Sequence, residues 1–79
     1  MKIVLRNVDE FKRLLLVKGF SQRGLGREIG ISEVYATQIS NGTRNPGPSI
    51  ARKITEVLDV EFQDIFFIEG ADKSNQSTA

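Results

Sequence analysis

Seventy-nine residues with neither Cys nor His make one small domain that must fold on an apolar core without disulfides, and they exclude a thiolate nucleophile, Ser-His or Cys-His catalysis and the usual zinc sites. The formal charge of +1 hides an asymmetry: residues 1–53 hold ten basic and four acidic side chains, a net of +6, whereas residues 54–79 hold one basic and six acidic, a net of −5. Such a split points to a nucleic acid or an acidic surface as a partner to consider, although a solvated charged face explains the same counts.

The first apolar run, Ile3-Val4-Leu5, is too short for a signal-peptide core, so the expected location is cytoplasmic with no membrane partner. Residues 2–5 read as a strand, as do residues 66–68 near the other end. A lone two-stranded ribbon is marginal in water, so the two must pack on the first helix and the last turn or continue across a dimer partner.

Asn7 with Glu10 three residues on approaches a capping box, and Val8, Phe11, Leu14 and Leu15 recur at helical spacing, which predicts a first helix over about 8–18. Gly19 supplies the left-handed position that ends it, and Ser21 is a good N-cap for a two-turn helix over 22–29. Gly30 closes that helix and Ser32 caps a third over 33–41, leaving the tight link Gly30-Ile31-Ser32. In the third helix Ala36 and Ile39 fall on one side, while Glu33, Val34, Thr37, Gln38 and Asn41 fall on the other.

Asn41-Gly42 stops the third helix, a loop follows through Pro46, and Pro48 suits the first position of a fourth helix over 48–58 with the inward stripe Ile50, Ala51, Ile54, Val57 and Leu58. Asp59-Val60 breaks it, and residues 61–65 read as one or two helical turns with Phe62 and Ile65 inward. Residues 70–79 contain no large apolar side chain, so residues 1–69 form the domain and 70–79 a disordered polar tail.

Two short helices joined by a tight turn, the second with a polar outer face, describe a helix-turn-helix over about 22–41 whose second helix enters the DNA major groove. Gly26 lies on the side of the first of these helices that must approach the other, where a missing side chain permits close contact. Gly24 costs that helix roughly 1 kcal/mol relative to Ala, and nothing in the sequence accounts for it. No paired carboxylates on one face, phosphate-cradling Gly loop or metal-ligand cluster is present, so neither an enzyme nor a cofactor is expected.

The linked motifs Lys18-Gly19-Phe20-Ser21-Gln22, Leu25, Ile29-Gly30-Ile31-Ser32, Ile39 and Asn41-Gly42-Thr43-Arg44-Asn45-Pro46 resemble the phage repressor and Cro family of helix-turn-helix domains over about residues 8–66. The resemblance implies a mainly α, five-helix, lambda-repressor-like fold, with short terminal strands that can pair. It also implies a sequence-specific regulator of transcription that binds double-stranded DNA, a repressor acting as a homodimer on a two-fold operator. Gln22 matches the family's phosphate-touching glutamine at a helix start, with Arg23 beside it, and Ser32 serves both as N-cap and as a phosphate contact.

Glu33, Val34 and Gln38 match the base-facing positions, flanked by Thr37 and Tyr35. Gln38 can pair bidentately with adenine, Glu33 can accept from a cytosine amino group, and Val34 can rest on a thymine methyl; packing at the helix edge is the other reading of Val34. Tyr35 either reaches a phosphate through its hydroxyl or covers the helix edge. Asn41, Thr43, Arg44 and Asn45 fall where the family's loop follows the DNA backbone. Lys12, Arg13, Lys18, Arg52 and Lys53 need only solvation. Many members pair a first-helix Arg with a Glu just before Asn-Gly, but here Leu15 and Ser40 replace both, which avoids an unpaired buried charge. The competing function is a protein-binding module, an antitoxin or antirepressor that engages a partner through acidic residues 59–79.

Overall fold

A computed structural model describes residues 1–70 of the chain. The elements run β1 (Lys2–Leu5), α1 (Val8–Val17), α2 (Gln22–Ile29), α3 (Glu33–Ser40), α4 (Pro48–Leu58), α5 (Phe62–Ile65) and β2 (Phe66–Glu69). The architecture is mainly helical, five helices with one short sheet, as expected. Residues 71–79, and with them nearly all of the tail expected to be disordered, lie outside the described residues.

The helix ends follow the local chemistry of the sequence. The Asn7 side chain accepts from the Glu10 backbone N–H at 3.0 Å, Ser21 Oγ from that of Gly24 at 2.9 Å and Ser32 Oγ from that of Tyr35 at 3.0 Å, so each of these three helices begins with one otherwise orphaned donor satisfied. Gly30 ends α2 in the left-handed region at φ +83°, a backbone conformation open to glycine without Cβ strain. α4 has Pro48 in its first turn and stops at Asp59, which adopts φ 58°. α5 begins with a bond not anticipated from the sequence, from the Glu61 backbone N–H to Asp64 Oδ2 at 3.0 Å.

The core gathers Leu5, Phe11, Leu15, Leu25, Ile29, Ile39, Ala51, Ile54, Leu58, Ile65 and Phe66 from every element. Leu15 and Ser40 are both buried, and the Ser40 hydroxyl donates to the Ala36 carbonyl at 2.8 Å. The pair that replaces Arg and Glu therefore leaves no polar group unsatisfied inside.

β1 and β2 pair antiparallel within the chain, Lys2 opposite Glu69 and Leu5 opposite Phe66. Leu5 and Phe66 enter the core, while Arg6 continues the seam through its backbone N–H to the Ile65 carbonyl at 2.9 Å. Core burial at one end thus supports a ribbon too short to stand alone. Among the described residues no helix is long and apolar enough to cross a membrane.

Candidate nucleic-acid interface

α2 and α3 meet at Gly26. A Cβ there would lie 2.8 Å from Ala36 Cβ and 3.2 Å from the Ser32 carbonyl oxygen, closer than van der Waals contact allows. The missing side chain lets the turn fold tightly and fixes how α3 projects from the body. Gly24 has a related reason: a Cβ at that position would lie 3.0 Å from Ser21 Oγ, the oxygen that caps α2.

With Ala36 and Ile39 both buried, the rotation of α3 is set and its other side faces outward. Val34 is 67% exposed, which rules out the core-contact reading for this side chain. Val34, Glu33, Thr37 and Gln38 line one shallow depression with Arg23 at its edge. The expected base-facing set thus shares one surface.

The charged groups around that surface are engaged with each other. Arg27 Nη1 lies 2.9 Å from Glu33 Oε2, and Arg23 Nε lies 3.9 Å from Glu33 Oε1. From the loop after α3 the Arg44 guanidinium reaches back over the Tyr35 ring, 4.8 Å from its centroid, and its Nη1 makes a long 3.5 Å contact with Gln38 Oε1. A planar cation stacked on an aromatic face loses less freedom than a solvated one when it meets an anion. Tyr35 is half-buried against the core, so its ring both covers the helix edge and carries Arg44.

The remaining expected phosphate contacts are distributed around α3. Gln22 is half-buried at the start of α2 and lines a second depression with Lys12, Ser21, Arg23 and Thr37. Lys12, which the sequence left to solvation, shares that depression with Gln22. Ser32 stands at the N-terminus of α3 and Asn41 at its C-terminus, both exposed. The Thr43 hydroxyl donates to the Gln38 carbonyl at 3.1 Å, tying the loop to the last turn of α3. Asn45 is exposed but lines a different, apolar cleft with Ile3, Pro46, Phe62 and Ile68; it is not gathered with the α3 surface.

Arg27 is the residue in this cluster to which the sequence reading gave no role. Its signal was available: it follows Arg23 by four residues, one helical turn, and faces the residue that opens α3 across a three-residue link.

Comparison with known proteins identifies the family and the fold. The chain is 30% identical over 73 residues to the HTH-type transcriptional regulator YvzC of Bacillus subtilis (strain 168), covering 92% of this chain and 94% of that protein. It is 39% identical over 56 residues to the HTH-type transcriptional regulator YqaF of the same organism, covering 71% and 72%. The crystal structure of the restriction-modification controller protein C.AhdI from Aeromonas hydrophila superposes with a TM-score of 0.63 at 26% identity, over 72% of this chain and 83% of that one. Residues 11–65 match the helix-turn-helix family, and the chain belongs to that Cro/C1-type family of DNA-binding transcriptional regulators, which is not an enzyme family.

Proposed function

We propose that the protein is a sequence-specific repressor that binds double-stranded DNA as a homodimer on a two-fold operator, with α3 in the major groove. Glu33, Val34, Thr37 and Gln38 face the base edges, and Gln22, Arg23, Ser32, Tyr35, Asn41, Thr43 and Arg44 hold the phosphates, whereas Asn45, in the apolar cleft, is left out of that set. The observation that carries this reading is the outward valine: Val34 stands exposed between hydrogen-bonding neighbours, a placement that gains nothing in water and suits a thymine methyl. The regulators named above as relatives, and the controller protein that shares the fold, support a regulatory role.

A homodimer is supported by the apolar cleft lined by Met1, Ile3, Pro46, Phe62 and Ile68, with Ile68 itself exposed, since contiguous exposed apolar surface marks interaction sites. The second reading, a protein-binding module that uses residues 59–79, is favoured by the acidic run Asp59, Glu61, Asp64 and Glu69 in that segment.

A salt series separates the two. Binding to a duplex through phosphates weakens with salt at a log–log slope near −0.9 per phosphate neutralised, so affinity should fall steeply between about 50 and 200 mM salt. A flat response would refute the DNA reading. Capture of a stoichiometric protein through residues 59–79, with no duplex shifted, would establish the second in its place.

A further inference from the structure

Glu33 occupies an unusual place for a carboxylate. It opens α3, where a negative charge is favoured by the helix dipole, yet on the proposed reading it faces a groove walled by phosphates. Each of its two oxygens is next to a different guanidinium: Oε2 is 2.9 Å from Arg27 Nη1 and Oε1 is 3.9 Å from Arg23 Nε. Arg23 and Arg27 both belong to α2, one turn apart, so the carboxylate ties the two helices of the motif together at their outer edge. All three side chains remain about half or more exposed, and ion pairs of that kind are weak enough to exchange partners.

We propose that Glu33 is an internal counter-charge that withholds Arg23 and Arg27 from DNA phosphate and releases them only where a cytosine amino group takes over its carboxylate, so that this residue sets how strictly affinity depends on sequence. The inference rests on the reading of α3 as the DNA-facing helix. On a matching base pair Glu33 accepts from the cytosine amino group, and both guanidinium groups become free to neutralise phosphates. Guanine and thymine present no amino donor to the major groove, and adenine sets its N6 amino group beside the N7 acceptor, which repels a carboxylate, so on those bases Glu33 keeps its arginines. Contacts that carry no sequence information thereby become conditional on one that does.

The test compares Glu33→Gln with Glu28→Gln. Both remove one negative charge, but Glu28, on α2, makes no ion pair among the described residues. On a random-sequence duplex E33Q should steepen the log–log salt slope by about 1 to 2, at about 0.9 per added phosphate, and tighten binding roughly fivefold to tenfold near 0.1 M salt. E28Q should leave the slope unchanged. Adding Arg27→Gln to E33Q should return about 0.9 of the gained slope.

Elution from immobilised heparin, a sulfated polyanion without bases, provides a readout independent of DNA recognition. E33Q should elute at higher salt than E28Q. Equal behaviour of the two variants on both the duplex and heparin would overturn the proposal, because net charge would then be the whole effect. A wild-type chain that shifts no duplex would refute the DNA-facing reading of α3, while the heparin comparison would still decide whether Glu33 holds the arginines.

Discussion

At Gln38 three neighbours converge: its side-chain oxygen meets Arg44, its backbone carbonyl accepts from Thr43, and its outer flank shares a surface with Val34. If phosphate contacts position and base contacts specify, the two long side chains separate in a titration. Gln38→Ala should cost about 1–3 kcal/mol on the preferred duplex and little on random DNA, whereas Arg44→Ala should weaken all duplexes alike and lower the salt slope by about 1. Uniform weakening by Gln38→Ala would remove that residue from the base-reading set.

Which side chains face outward on α3 was legible in the sequence, because the spacing of Ala36 and Ile39 fixes the rotation of the helix. The pairing of Arg23 and Arg27 with Glu33, and the stacking of Arg44 on Tyr35, were not. Those contacts join long flexible side chains across a turn, where no periodicity constrains which partner is chosen.

The elements themselves were read within a residue at most ends, since caps and breakers act locally. Ser21, Ser32, Gly30 and Pro48 each occupy the position that their chemistry favours. α1 ends at Val17 and α3 at Ser40, one residue before the expected ends, because Lys18 and Asn41 are the caps. Phe62 and Ile65 announce the turn itself, but the bond from the Glu61 backbone to Asp64 is not legible, because Glu is not among the residues that usually occupy an N-cap.

Packing supplies two predictions for thermal or denaturant melts. Ile39 is 1% exposed, and Ile39→Ala should destabilise the fold by about 2–5 kcal/mol; an unchanged melt would mean that α3 is rotated from this assignment. Gly26→Ala forces a methyl group into a 2.8 Å contact with Ala36 and should cost about 1–3 kcal/mol as α2 and α3 are pushed apart. Because this shift re-aims α3, specific DNA affinity should fall by more than the lost stability accounts for.

In the whole molecule the near-neutral charge resolves into two regions. Arg23, Arg27 and Arg44 surround α3 with Glu33 between two of them, while Asp59, Glu61, Asp64 and Glu69 follow on α5, β2 and the turn before them. The sequence left open whether the terminal strands pair within one chain or between two, since strand composition carries no information about connectivity. Their pairing within the chain leaves the ribbon's outer edges and the cleft beside Ile68 available to a second copy. Ile68→Glu should therefore shift sedimentation toward the monomer and reduce affinity for a two-fold site, with little effect on the melt, whereas Phe67→Glu, on the opposite face of the ribbon under Arg6, should not. A dimer that persists in Ile68→Glu would place the contact elsewhere.

Selection of bound duplexes from a random pool tests the account most directly. Two copies of α3 related by two-fold symmetry should enrich a palindrome whose half-site centres lie about 34–36 Å apart, one turn of DNA, or a multiple of that. Failure to enrich any sequence, with the folded chain present in excess and salt at about 50 mM, would contradict it.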